Sequence, residues 1–358
     1  MNELAKIDSF RRDLALAETI EQFKLLGDSV KAFQFILQRQ GANKLIIDEV
    51  GELDIEVECG KGEWLDMFYP HGVNSEYRKT GVAKTETPKM PVSPKESAKA
   101  KKINKFKKSK PDVFNKMKDK IKKDKNTILN VKSLSKEIDK EVKQKDREEK
   151  ADAGKNITLD IDFRLGDFEE VLSDIPDGSI DCIITDPPYP LEFIECWSKL
   201  SRFAAKKLKP NGFCIAYSGQ YNLPEVINRM NENLTYYWTF AVYHEGLTQI
   251  VNAVNIICRW KPVLIYQNGR RKLENTFQDY FISEKREKHG HDWQQSVSGV
   301  SYLIEMFTKP GDLIIDPFAG SGTTIIAAKK LNRNIIAAEI NEDTYNIAKA
   351  CINDITEI

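Results

Sequence analysis

Histidine is scarce, four in 358 residues, and the six cysteines include no CxxC pair. That leaves neither the ligand spacing of a zinc site nor a redox dithiol. Cys59, Cys182, Cys196, Cys214, Cys258 and Cys351 are scattered, several within apolar runs, and read as buried thiols of a reducing compartment. No apolar run approaches the ~20 residues of a membrane helix. The opening MNELAKIDSFRRDLALAETI is charged and helical in period, unlike a secretory leader. These absences predict a cytoplasmic protein without metal or membrane span. Net charge is also missing, with 54 basic against 54 acidic residues. The balance is uneven along the chain, however. Residues 78–150 hold 25 Lys/Arg against 11 Asp/Glu, an excess of 14 positive charges that the remainder must offset.

The length allows one large domain with smaller modules, and 41% hydrophobic content can fill a core. Residues 1–70 read as a helical module. Leu14, Ile20, Phe23, Leu25, Val30, Phe33 and Ile36 recur at helical intervals, and Gly27-Asp28 and Gly41 are expected breaks. Residues 71–91 lack periodicity and read as a linker. In the basic segment 92–150, Ser93-Pro94 and Pro111 each open a helix, and Ser133 or Ser135 would cap a third. Two short basic helices with a tight connection suggest a helix-turn-helix-like, phosphate-binding unit. Plain basic helices or a solvated tether are the alternative.

From residue 157 to 358, strand candidates (ITLDIDFRL, IDCIIT, GFCIAYS, YYWTFAVYH, PVLIYQ, DLIID, NIIAAEI) alternate with helical stretches. This predicts an α/β fold with a doubly wound sheet, and TFAVYH with PVLIYQ as an antiparallel edge hairpin. Two stretches carry chemistry. In DCIITDPPYP, a β-branched strand gives way to Asp186, Pro187, Pro188 and Tyr189. Neither proline can donate to a ladder, so the acid stands at the carboxyl end of a strand, where open α/β sheets bind ligands. In GDLIIDPFAGSGTTIIAAKK, a strand ending in Asp316 meets a glycine turn and a helix. Gly320 and Gly322 permit close backbone approach, and the helix starting near Thr323 presents free N–H groups suited to a carboxylate. Glu339 ends the next strand, where an acid can accept from ribose hydroxyls.

With both motifs in one domain, residues 157–358 resemble the S-adenosyl-L-methionine (AdoMet)-dependent DNA amino methyltransferases, in the beta-class order with DPPY ahead of DPFAGSGTT. The resemblance implies a Rossmann-like sheet, preceded here by a mainly helical N-terminal region. It implies AdoMet as cofactor and double-stranded DNA as partner, with a homodimer as a further expectation, and a bacterial or phage restriction–modification setting. Carried over by position, Asp186, Pro187, Pro188 and Tyr189 are catalytic. Phe318, Gly320, Ser321 and Gly322 line the methionine side, Thr323 takes its carboxylate, Glu339 the ribose and Asp167 the adenine amine. Asp316 belongs to the same motif, and Trp293, Gln294 and Ser296 of HDWQQS resemble the segment closing over the methionine. Plainer readings stand beside these: Asp316 as a brace of the turn, Phe318 and Trp293 as core aromatics, Asp167 as a loop acid. The implied activity is methylation of adenine N6 after base extrusion. Cytosine N4 is the runner-up, although the family pairs DPPY more often with adenine. A DNA-binding regulator with an inactive methylase domain is the alternative of another class.

Overall fold

The computed structural model describes residues 3–69, 91–244, 249–251, 253–273, 276–283 and 296–356. It divides into two compact units, Met1–Gln144 and Lys145–Ile358.

The first unit is helical: α1 Glu3–Ala15, α2 Ile20–Arg39, α3 Lys44–Phe68, α4 Pro94–Ser109, α5 Pro111–Lys123 and the start of α6 Val131–Lys155. Thr19 and Gln22 form a reciprocal capping box at the head of α2, a device typically worth ~1 kcal/mol. Gly27-Asp28 does not break this helix. A Cβ at Gly27 would lie 3.3 Å from Val57 Cγ1, so the glycine serves close α2–α3 packing. The predicted modules 1–70 and 92–150 are not separate. Ile55 and Cys59 of α3 share one core with Ile103, Phe106, Phe114, Met117, Ile121, Leu134 and Ile138 of α4 to α6. Charge reinforces the union. Lys101 pairs with Asp66 (3.3 Å), Lys108 with Glu63 (2.6 Å), and Lys118 and Lys122 each with Glu52 (3.0 Å). Part of the basic excess, these four lysines, therefore faces acids of α3. The segment is helical and not a tether, and Lys110 alone joins α4 to α5, shorter than the three- or four-residue turn usual in a helix-turn-helix. Asn130, rather than either serine, caps α6. Its Oδ1 accepts from Ser133 N (2.9 Å) while Ser133 Oγ accepts from Asn130 N (3.0 Å). Of the predicted linker, residues 71–90 lie outside the described residues.

The second unit contains β1 Asp162–Leu165, α7 Phe168–Val171, β2 Ile180–Thr185, α8 Ile194–Lys207, β3 Leu208–Tyr217, α9 Leu223–Met230 and β4 Thr235–His244. A ribbon of β5 Gln249–Val251 and β6 Ile256–Cys258 follows. Then come β7 Trp260–Gln267, β8 Tyr280–Ser283, α10 Val297–Phe307, β9 Leu313–Asp316, α11 Thr323–Lys330, β10 Asn334–Glu339 and α12 Glu342–Thr356. It begins before residue 157, because Ala151 at the end of α6 packs on Ile347 and Cys351 of α12. The sheet order is β1-β10-β9-β2-β3-β7-β4-β8. Neighbours from β1 to β3 pair in parallel, β7 runs antiparallel to both β3 and β4, and β8 joins β4 in parallel. The predicted hairpin pairing of β4 with β7 is present, flanked by β8, which has no periodic signal in the sequence. Only Asp162–Leu165 of ITLDIDFRL forms a strand.

Helices cover both faces. Along β3, Phe213, Ile215 and Tyr217 join the core under α10 to α12, whereas Cys214 and Ala216 join the core under α8 and α9. This period of two explains why the strand reads as a continuous apolar run: both of its faces are buried.

Candidate active site

Strand β9 leads through α11 to β10 on one side, while its neighbour β2 leads through α8 to β3 on the other. The two connections diverge, which opens a crevice at the carboxyl ends of β9 and β2. Asp316 closes its floor. Only 2% exposed, its Oδ1 accepts from Thr185 Oγ1 at the end of β2 (2.7 Å) and from Phe318 N in the turn (3.1 Å). Burial pushes this carboxyl up to about 6, nearby Asp186 adds to the rise, and the bonds from Thr185, Thr324 and Phe318 oppose it. Asp316 thus holds the two loops together from below. It is a brace, and the structure does not expose it as a ligand contact.

The glycine turn is asymmetric. Gly320 (φ +54°) points its missing side chain into open space, the nearest atom being Phe318 O at 4.0 Å. Gly322 (φ +83°) points inward, where a Cβ would lie 2.9 Å from Ile352 Cδ1. Of the two glycines, Gly320 therefore borders open space, and Gly322 is a packing residue that starts α11 in the left-handed region. Thr323 is buried, whereas Phe318 and Ser321 are half-buried. The Glu339 carboxylate accepts from Gly320 N and Asn341 N, both at 2.9 Å. Burial raises its pKa, and those amides act against the rise. A carboxylate has about four acceptor positions, and with the Ile340 amide also directed at it at least one remains for a further donor. Beside it, Gly166 N donates to Glu339 O (2.9 Å). This places Asp167 at the same strand edge, where its Oδ1 accepts from Glu169 N (2.9 Å) and Oδ2 from Lys199 Nζ (3.4 Å). Phe318 packs on Phe168 with ring centroids 5.1 Å apart.

Across the crevice, Tyr189 Oη donates to Asp186 Oδ1. Burial, and next the Asp186 charge, push the phenol well above its ordinary value. It therefore stays protonated as a donor. Lys261 Nζ donates to Tyr189 Oη (3.2 Å) and stands 5.1 Å from the ring centroid. The loop carbonyls are held as well: Trp197 Nε1 donates to Pro188 O (3.4 Å) and Asn222 Nδ2 to Tyr189 O (3.1 Å). The prolines stiffen the backbone, and these donors fix where its carbonyls point.

Residues 261–350 match the family described as DNA methylase. The matched stretch lies within the C-terminal unit. Among curated relatives, the type II methyltransferase M.HindIII of Haemophilus influenzae is 42% identical over 120 residues, covering 31% of this chain and 37% of that protein. The type II methyltransferase M.BglII of Bacillus subtilis is 26% identical over 238 residues, covering 51% and 66%. The matched part thus spans less than two thirds of either relative. Among solved structures, M1.HpyAVI in its SAM complex covers 54% of this chain and 99% of its own at 23% identity and TM-score 0.46. The PvuII cytosine-N4-specific DNA methyltransferase covers 55% and 90% at 20% identity and TM-score 0.45.

Within the C-terminal unit, the sequence motifs from β1, β2, β9 and β10 meet at one strand edge. Ser296 does something else: its hydroxyl accepts from Gly299 N (3.2 Å) as the N-cap of α10. Trp293 and Gln294 lie outside the described residues. Sequence reasoning missed Thr185, Thr324, Lys261, Asn222 and Trp197. Thr185 alone had a local signal, as the polar last residue of a buried strand. Asn222 and Lys261 reach the DPPY loop from 33 and 72 residues away, a distance no local pattern bridges. Among the described residues there is no cluster of metal-ligating side chains and no helix long and apolar enough to cross a membrane.

Proposed function

We propose that this protein transfers a methyl group from S-adenosyl-L-methionine to the exocyclic N6 amine of adenine in double-stranded DNA. The observation that carries the reading is the meeting of Asp186 with the Gly320–Glu339 turn, joined beneath by the Thr185–Asp316 hydrogen bond. The open side of Gly320 and the remaining acceptor capacity of Glu339 fit a ligand with a ribose and an extended tail. Glu339 would take the ribose hydroxyls, Phe318, Gly320 and Ser321 would face the methionine part, and the first turn of α11 would take its carboxylate. Asp167 would accept from the adenine amine of the cofactor, and Ser296 would contribute through the chain it caps.

When bound, the cofactor supplies an electrophilic methyl group on positively charged sulfur. Asp186 and the Pro187 carbonyl each accept one N–H bond from the target amine, drawing the nitrogen toward a tetrahedral shape. Its lone pair, otherwise delocalised into the ring, is then aimed along the line of attack. Pro187 and Pro188 fix these acceptors in advance, so little reorganises during reaction. Tyr189 offers a face to the extruded base. As the N–C bond forms and the C–S bond breaks, the nitrogen becomes positive and its spare proton leaves through Asp186. Asp186 need not be a strong base, because that proton is acidic by then.

The acid at the first motif position favours adenine, in line with the family resemblance. The test is incorporation of tritiated methyl groups into DNA by the full-length protein, followed by nucleoside analysis. N6-methyladenine is the expected product. N4-methylcytosine would move the reading to the other amine, and no incorporation into any DNA would overturn it.

A further inference from the structure

Ribbon β5–β6 extends from the tip of the β4–β7 pair and carries apolar side chains on both sides. Ile250 stands opposite Ile257, and Val251 opposite Ile256. Ile250, Val254, Ile256 and Ile257 are 48–56% exposed. Among the described residues, none of the ribbon's side chains joins either core of the unit. An isolated two-stranded ribbon is only marginally stable in water, and branched apolar residues on both sides add a cost that only a partner removes.

Its location and charge say what that partner is. The ribbon leaves the sheet at the edge bearing the DPPY loop: Ser218 N at the end of β3 donates to Pro262 O (2.9 Å), and Gln220 Nε2 to Trp260 O (3.0 Å). Lys261, at its base, touches Tyr189. Lys261 lies four positions beyond Ile257, about 13 Å at ~3.3 Å per residue of extended chain. From Gln249 to Lys261 the sequence contains no acid, and Arg259 and Lys261 are cations. We infer that the ribbon is a wedge: its isoleucines enter the base stack of the duplex beside the target nucleotide, while Arg259 holds the adjoining phosphates. A two-stranded ribbon fits the major groove, and isoleucine is among the residues that open base steps. A flat contact with a second copy would use one face of the ribbon and leave the other in water, and the local positive charge would oppose self-association. The wedge rests on the DNA-methylase reading, and its role is to offset the unstacking that base extrusion requires.

The experiment uses the full-length protein, wild type beside Ile250→Ser/Ile257→Ser and the conservative Ile250→Val/Ile257→Val. Each is measured for binding and methyl transfer on a duplex holding the site found modified in expressing cells, with the target base either matched or mismatched. The serine variant should lose at least tenfold in transfer on the matched duplex and recover most of it on the mismatched one, where unstacking is largely done. The valine variant should resemble wild type, and affinity for S-adenosyl-L-methionine should be equal in all three. An equal loss on both duplexes, or no loss, would overturn the wedge. So would a wild-type dimer that the serine variant dissociates while its DNA binding stays intact. The wild-type arm reports separately on the methylase reading, and the binding arm still tests the ribbon if transfer fails.

Discussion

Two glycines two residues apart should fail in opposite ways when each is replaced by alanine. At Gly322 the backbone is left-handed (φ +83°), and a Cβ would lie 2.9 Å from Ile352 Cδ1 and 3.6 Å from Ala348 Cβ. Left-handed backbone costs an L-residue about 1–2 kcal/mol, and overpacking a tight core about 1–3 more. Gly322→Ala should therefore destabilise the C-terminal unit by about 2–5 kcal/mol. Its remaining folded fraction should bind S-adenosyl-L-methionine normally, because the new methyl group faces α12. At Gly320 (φ +54°) the added carbon meets nothing within 4 Å other than Phe318 O. Gly320→Ala carries only the backbone cost, about 1–2 kcal/mol, but sets a methyl group where the ligand would approach. Its cofactor affinity should fall at least tenfold, about 1.4 kcal/mol or more. Urea unfolding of each variant beside calorimetric titration with S-adenosyl-L-methionine separates the two effects. A Gly322→Ala protein as stable as wild type but unable to bind, with a silent Gly320→Ala, would refute this division of labour.

Asp186→Ala should lower methyl transfer by at least about 10²-fold, the usual effect of deleting a preorganised polar contact, while calorimetry shows cofactor binding unchanged. Substantial transfer by that variant would remove Asp186 from the chemistry. Asp316 binds its proton more tightly folded (about 6) than unfolded (3.8), so its contribution is full below pH ~4 and lost as pH rises through ~6, about 3 kcal/mol in all. Unfolding curves of wild type and Asp316→Asn should therefore converge or cross over that window, and parallel pH profiles would contradict the assignment. Lys132, Lys136 and Lys143 recur on one exposed side of α6. If they meet phosphates, their joint replacement by alanine should flatten the salt slope of DNA binding by about 2–3, and an unchanged slope in a salt series would show that this side does not touch DNA.

How much of this was legible in the sequence depends on how local each determinant is. The strand-ending acids Asp186, Asp316 and Glu339 stand out because an acid after a β-branched run is chemically abrupt, and the structure places all three at one edge. The direction a glycine faces is not local. Gly320 and Gly322 look equivalent in GSG, and only the position of α12 shows that one borders open space and the other Ile352. The same holds for Asp316, whose partner Thr185 lies 131 residues away. The basic segment misled for a related reason. A run of lysines reads as a polyanion-binding footprint until the acids of α3 are seen beside it, and Glu52 alone engages two of those lysines.

That pairing changes what an experiment on the basic segment can mean. Deleting residues 92–150 would remove Ile103, Phe106, Phe114, Met117 and Ile121 from the core they share with α3, and leave Asp66, Glu63 and Glu52 without their lysines. Loss of DNA binding after such a deletion would follow from unfolding of the first unit as readily as from loss of a phosphate contact. Point changes on exposed lysines avoid this, because an exposed ion pair is worth only about 0–1 kcal/mol and its removal leaves the fold intact. Any charge that meets DNA phosphates would therefore come from the part that α3 does not neutralise, carried by single side chains and not by the segment as a whole.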